Sequence, residues 1–424
     1  MTSVGSSLAT EYTDAHRRDA ADRGAASLRD RFALPVGRDG RPKAYLAGQS
    51  LGAQPKDARA AVEERLDAWA RLGVDGWFDS EQPWIDVERD LAGATGRLVG
   101  AEPAEVTTAN TLSINLHLLL ASFFRPAGQR RRILIDAPTF PSDRYVVESQ
   151  LRHHGLDPES DLIVIRPRTG EDTVRPDDLD EMIDQHRDDL AVMLLGGVNY
   201  ATGQVFDIAR HTERAHAAGA IAIWDLAHAT GNIPLALHDA NVDAAAWCTY
   251  KYLNSGPGAL AQLFVHARHA SDPATPRLAG WWGNDPASRF LMAETFVPGR
   301  GADGFRVSTP PILSLAPIAV SLAMFDEVGM AALRERSLTL TGELARLIDG
   351  FVPDAAVITP RDPAERGSQL SIRVGDAHAR LRALEAFDVV ADAREPDLIR
   401  LAPVPMYCSF EDVVRAADAL ARTA

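Results

Sequence analysis

Between residues 133 and 265 the chain repeats one pattern: a short, unbroken apolar run suited to a buried strand, then a stretch with helical spacing. The apolar runs fall at 133–135, 162–165, 191–195, 221–224 and 263–265, and helical stretches at 143–153, 177–186 and 208–217 lie between them. A strand with one wet face alternates apolar and polar residues, whereas a strand that is apolar throughout must be covered on both faces. The pattern therefore predicts an α/β fold whose mostly parallel sheet is covered by helices. In such sheets ligands sit at the carboxyl ends of the strands, on the loops that lead into helices.

Outside this region the periodicity changes. The opening stretch to Arg31 reads as a helix, followed by a short strand at 44–46, a tight turn Gly48-Gln49-Ser50-Leu51-Gly52, and a helix over 55–72. After Pro311, helical segments at 313–328 and 330–348 lead to separated strands at 356–359, 370–374 and 398–401 and a last helix over 410–421. The expected organisation is an N-terminal helical segment (1–43), a large domain (44–312) and a smaller α+β domain (313–424).

The formal net charge of −15 argues against nucleic acid, which needs a surplus of Lys and Arg on one face. Arg130-Arg131-Arg132 reads as the solvated start of the strand that follows. No apolar run approaches the ~18–20 residues that span a bilayer. The N-terminus alternates charge and alanine without the apolar centre of a signal peptide, so the expectation is a cytoplasmic protein without a membrane partner. The two cysteines, Cys248 and Cys408, stand in neither a disulfide framework nor a metal-ligand spacing, and no metal site is expected.

Chemistry enters at the strand ends. The run at 221–224 ends in Asp225-Leu226-Ala227-His228. A carboxylate at the end of a buried strand is costly unless paired, and a protonated pyridine nitrogen is one such partner. Taken alone, Asp225 reads equally well as a helix cap. Further on stands Tyr250-Lys251-Tyr252-Leu253-Asn254, with a glycine loop after it, which suits a desolvated amine that forms a Schiff base. The ordered pair is far more specific than either half and points to pyridoxal 5′-phosphate (PLP), whose ring acts as an electron sink. Thr111-Leu112-Ser113 opens a helix and offers a phosphate cradle, although an ordinary helix cap explains the same letters. Phe140-Pro141-Ser142-Asp143 likewise opens a helix, with Phe140 able to stack on a flat ring.

These motifs, together with Ser50-Leu51-Gly52, Gly280-Trp281-x-Gly283 and Arg400-Leu401-Ala402-Pro403, resemble the kynureninases, a group of fold-type I PLP enzymes related to class V aminotransferases. The resemblance runs from about Tyr45 to Phe410. It implies that Lys251 carries the cofactor and moves the Cα proton, that Asp225 pairs with the pyridine nitrogen, and that His228 lies beside the ring. It further implies that Phe140 stacks on the ring and that Asp143 supports that loop. Leu112, Ser113, Tyr250, Trp281 and Thr309 would serve the phosphate side, with Tyr250 also an acid/base. Arg400 would bind the α-carboxylate of an amino-acid substrate as a fork, with Ser50 and Trp77 also at the substrate. The implied reaction is hydrolytic cleavage of the Cβ–Cγ bond of L-kynurenine to anthranilate and L-alanine.

Family members that favour 3-hydroxykynurenine tend to carry His where this chain has Trp77, and Asn where it has Thr309 before Pro310-Pro311. Trp77 is therefore expected to pack on the aniline ring and favour the unsubstituted substrate. Gln49, Gly196-Gly197 and Asn284 depart from the family pattern without touching the lysine or the ring carboxylate. The alternatives are a tailoring enzyme for a substituted kynurenine and a non-catalytic PLP-fold binding protein. A cysteine desulfurase on the same scaffold needs a nucleophile on a mobile loop, which neither Cys248 nor Cys408 supplies. Fold-type I enzymes usually pair as homodimers with the active site at the interface, and Trp281 and Thr309 are expected from the second subunit.

Overall fold

The computed structural model describes residues 4–22, 25–272 and 274–422. Parts of the expected N-terminal segment (1–3 and 23–24), residue 273 and the last two residues lie outside the described residues. The strands of the central sheet are β1 (Val106–Thr108), β2 (Arg132–Asp136), β3 (Leu162–Ile165), β4 (Leu190–Gly196), β5 (Ile221–Asp225), β6 (Ala244–Cys248) and β7 (Ala261–Val265). Their spatial order is β1-β7-β6-β5-β4-β2-β3. From β3 to β6 every pairing is parallel. The sheet is therefore mostly parallel, as the apolar runs predict.

Its far edge differs. β7 runs antiparallel to β6, and β1 runs antiparallel to β7. The segment between β6 and β7 contains no helix to carry the chain back across the sheet, so it returns in the opposite direction. Gln262 ties this edge together: it accepts from the Trp247 indole N–H at 2.9 Å and donates to Thr95 and Thr108 at 2.8 and 3.0 Å.

The longer helices are α1 (Val4–Ala21), α2 (Asp57–Leu72), α3 (Val87–Val99), α4 (Leu112–Phe123), α5 (Pro141–His153), α6 (Pro176–Gln185), α7 (Ile208–Ala217), α8 (Ile312–Val328), α9 (Met330–Phe351), α10 (Ala377–Ala386) and α11 (Phe410–Ala421). Period-two alternation along the strands builds two cores. Ile133, Ile135, Val192, Leu194, Ile223 and Leu263 face one side with Leu116, Leu119 and Leu120 of α4 and Val146 and Val147 of α5. Leu134, Met193, Leu195, Trp224, Trp247 and Phe264 face the other, in a core that continues into the C-terminal part of the chain.

That C-terminal part holds a second sheet of β8 (Ala356–Val357), β9 (Leu370–Arg373), β10 (Asp392–Arg394) and β11 (Leu398–Leu401), in the order β8-β9-β11-β10. α9 packs on α11, and α1 lies against α11 as well, whereas α8 packs on α2 and α3. The opening helix ends at Ala21, and a separate 3-10 turn covers Ala25–Arg31. Helix starts follow local chemistry: Pro141 and Pro176 occupy first turns, and Ser409 and Asp412 cap each other's backbone at α11. Among the described residues no single helix is long and apolar enough to cross a membrane.

Candidate active site

The carboxyl ends of β2, β4, β5 and β6 open into one cavity. It is lined by Leu112 and Ser113 at the start of α4, Asp136 at the end of β2, Phe140 and Asp143 at the start of α5, Asp225 and His228 after β5, and Tyr250 and Lys251 after β6. The expected cofactor residues contributed by these elements therefore meet at one place, where a parallel sheet places its ligands.

Lys251 and His228 are both buried, and the Lys251 Nζ lies 3.1 Å from His228 Nε2. Burial, and then the Lys251 charge, push His228 well below the usual imidazole range, so the ring is neutral. The Lys251 ammonium also stands 5.6 Å from the centre of the Phe140 ring and 6.0 Å from that of Tyr250. Burial, with Cys248 beside it, raises the Tyr250 phenol above its ordinary range. The lysine's backbone is fixed from the N-terminal turn: the Gly52 N–H donates to the Tyr250 carbonyl at 2.8 Å. A Cβ on Gly52 would lie 2.3 Å from the Lys251 carbonyl oxygen, so only glycine lets the two segments approach this closely.

Below the lysine three carboxyl groups converge. Asp225 is buried, and its Oδ1 accepts from the Ala227 N–H at 2.8 Å. Asp143 is buried beside it and is lifted well above the ordinary carboxylate range by burial and then by the Asp225 charge. Burial lifts Asp136 to about 6, against the hydrogen bonds it accepts from Asn199 and Thr139. Asn199 Nδ2 donates to Asp136 Oδ2 at 2.8 Å and to the Pro138 carbonyl at 3.0 Å. Asp136 and Asn199 extend the set read from sequence. The signal for Asp136 was present, since it ends an apolar run as Asp225 does; Asn199 enters only through the packing of the loop after β4.

This arrangement fits the expected cofactor. A cationic heteroaromatic ring would relieve the crowded carboxyl groups, and two buried polar atoms of the cavity, Asp143 Oδ1 and His228 Nδ1, have no partner within the chain. On the phosphate side, Thr111 precedes α4 without capping it through its side chain, which leaves the first-turn N–H groups for an anion. The Ser113 and Ser142 hydroxyls meet there at 2.6 Å.

The expected substrate residues divide. Arg400, on the inner strand β11 of the C-terminal sheet, and Ser50 lie together just behind the cavity without lining it, and Arg400 Nη1 donates to the carbonyl of Tyr200, a residue of the cavity wall, at 2.6 Å. Trp77, Trp281 and Thr309 do not line the cavity of their own chain. Trp77 packs edge-on against Trp84 and tilted on Trp282, with ring centres 5.7 and 5.4 Å away. The Trp281 indole N–H donates to the Arg289 carbonyl at 3.2 Å, its ring half exposed, and Thr309 is exposed.

Comparison with known proteins agrees with this geometry. Residues 333–420 match the family model described as the kynureninase C-terminal domain. A kynureninase of Salinispora tropica is 51% identical over 98% of this chain and 98% of its own. That of Myxococcus xanthus is 48% identical over 95% of this chain and 94% of its own. Among solved structures, the cysteine desulfurase CsdA of Escherichia coli superimposes with a TM-score of 0.75 at 16% identity, covering 95% of this chain and 98% of that one. A C-DES mutant with glycine covalently linked to its PLP cofactor gives a TM-score of 0.75 at 18% identity, covering 89% of this chain and 96% of that one. At such identities the likeness is one of fold.

Proposed function

The chain belongs to the kynureninase family, enzymes that hydrolyse carbon–carbon bonds in ketonic substances, and from that premise we propose that it cleaves the Cβ–Cγ bond of L-kynurenine to give anthranilate and L-alanine. Its cofactor is pyridoxal 5′-phosphate. The observation that carries this reading is the contact of the buried Lys251 amine with His228 above the convergent carboxyl groups of Asp225 and Asp143.

When bound, the cofactor supplies a ring that takes up electrons from carbons next to the substrate nitrogen. The chain's residues hold it and manage the protons. Lys251 is the amine that anchors it and then moves a proton at the substrate Cα. Asp225 would keep the ring nitrogen protonated, and Asp143, raised well above the ordinary carboxylate range by burial and then by the Asp225 charge, lies buried beside it. His228 stays neutral and so adds no positive charge beside Lys251. Phe140 would cover the ring face, and Leu112, Ser113 and the first-turn N–H groups of α4 would hold the phosphate. Tyr250 lines the cavity and keeps its phenolic proton, because burial, with Cys248 beside it, raises the phenol above its ordinary range. Arg400 receives the α-carboxylate.

Two finer assignments belong to this reading. Trp77, in place of His, supports the unsubstituted kynurenine as the preferred substrate. The second is a homodimer in which Trp281 and Thr309 serve the cavity of the other subunit. Phe78, Trp281, Phe290, Leu291 and Met292 are all exposed in the single chain. Phe290 packs edge-on against both Phe78 and Trp281. Such a cluster on one chain is suited to burial against a second copy. A desulfurase reading finds no support, because both cysteines are buried and Cys248 lies inside β6.

The test is the ratio of turnover on L-kynurenine and 3-hydroxykynurenine by the cofactor-loaded protein. A ratio in favour of L-kynurenine supports the assignment to Trp77. Preference for the hydroxylated compound overturns that assignment, and turnover of neither overturns the reaction.

A further inference from the structure

Arg400 has no free edge. Its side chain is 1% exposed. Nε donates to Asp392 Oδ1 at 2.7 Å, Nη1 to the Tyr200 carbonyl at 2.6 Å, and Nη2 to Ser50 Oγ at 3.0 Å and also to Asp392 Oδ2. The carboxylate partner is fixed by the sheet, since the antiparallel register of β10 and β11 sets Asp392 directly opposite Arg400. A slip of one residue would turn Asp392 to the other face. Ser50 Oγ donates to the same Asp392 oxygen, so the N-terminal turn and both strands meet at one carboxylate. Burial would raise the Asp392 carboxyl, but the hydrogen bond and charge of Arg400 outweigh it and hold the group below its ordinary range.

Arg394, also on β10, lies 3.2 Å from Asp392 Oδ2. Two guanidinium groups thus face one carboxylate, and the cluster keeps a positive charge beside Tyr200 and the cavity. The Asp392 clamp occupies the Nε–Nη2 edge of Arg400. Its Nη1–Nη2 edge is closed only by neutral groups, the Tyr200 carbonyl and the Ser50 hydroxyl, which an incoming carboxylate can replace.

We propose that Asp392 is a positioning residue for the α-carboxylate of the substrate: it clamps one edge of Arg400 and so presents the other edge to the cavity. Arginine has several free rotations, and a two-point contact on one edge removes them before the substrate arrives. Arg394 balances the clamp's charge, so that of Arg400 remains available. The proposal rests on the amino-acid substrate inferred above.

The experiment titrates cofactor-loaded wild type and Asp392→Asn with L-alanine and with L-alaninamide, following the visible absorption of the bound cofactor. The amide keeps the amine and lacks the carboxylate. In the variant, L-alanine should bind about tenfold more weakly, with the amide changed by less than about twofold. In turnover, KM should rise by a larger factor than kcat falls. Equal weakening of both ligands would reduce Asp392 to a structural role and overturn the proposal. Unchanged or tighter binding of L-alanine would make Asp392 a bystander or a competitor, and overturns it equally. Asp392→Glu, which keeps the charge but displaces the clamp, should show the same selective loss in smaller measure and serves if the Asn variant fails to fold. A wild type that binds neither ligand would count against the amino-acid substrate itself, and the proposal would fall with it.

Discussion

The Lys251 amine and the His228 imidazole lie 3.1 Å apart, both buried, at the ends of adjacent parallel strands. Burial, and then the lysine's charge, hold the histidine well below the usual imidazole range and so keep it neutral. A neutral His228 adds no second positive charge beside Lys251. Replacing His228 by Gln should therefore weaken cofactor binding by about tenfold through loss of a flat packing surface. It should leave the acid limb of the pH–rate profile between pH 5.5 and 7 where it is, since His228 does not titrate there. A limb that moves with this substitution would show that the imidazole does titrate.

The carboxyl groups of Asp136, Asp143 and Asp225 crowd one buried region, and Asp143 is driven well above its ordinary range. A bound cationic ring relieves that crowding. Stripping the cofactor should lower the melting temperature, and restoring it at a hundred times its Kd should return about 2.7 kcal/mol of stability by mass action. Asp143→Asn, which mimics the protonated group, should retain the cofactor, while Asp225→Asn should cost about 10²-fold or more in kcat. Calorimetry and steady-state assays of the three proteins check both statements.

Gly52 sits where a methyl group would strike the Lys251 carbonyl. Gly52→Ala should destabilise the protein by about 1–3 kcal/mol, because the obstacle is backbone and cannot swing aside. The displaced lysine should also lower kcat. A melting temperature and kcat equal to those of wild type would show that the turn relaxes freely.

On the opposite rim of the sheet, Asp243 accepts from His216 at 2.8 Å, from His269 at 2.6 Å and from the Ala222 N–H at 2.7 Å. Burial alone would raise its carboxyl, but these bonds prevail and hold it below the ordinary range. Stability from a lowered carboxyl is present above the unfolded pKa and is lost as pH falls through the folded one. Asp243→Asn should cost about 3–5 kcal/mol at pH 7. That deficit should narrow as pH falls through the carboxylate range, which thermal melts at several pH values can follow.

The sheet was legible because strands buried on both faces leave unbroken apolar runs, and several residues that line the cavity stand just past those runs. Asp225 and Phe140 could be placed by counting from strand ends, whereas Lys251 follows β6, outside the apolar runs read from sequence, and stood out by its aromatic neighbours and the glycine loop after it. β1 and the antiparallel return of β7 were less legible: Val106–Thr108 is short, and direction depends on the helix-free loop before β7. The partnership of Asp392 with Arg400 needs the register of two strands, which only the folded hairpin supplies.

The most direct test of the whole account is to supply L-kynurenine to cofactor-loaded wild type and Lys251→Ala and to quantify anthranilate and L-alanine together. The account predicts equimolar release by wild type and a loss of about 10³-fold or more in the variant, with loss of the lysine-bound cofactor's visible absorption. Undiminished product from Lys251→Ala, or none from a fully loaded wild type, would contradict it.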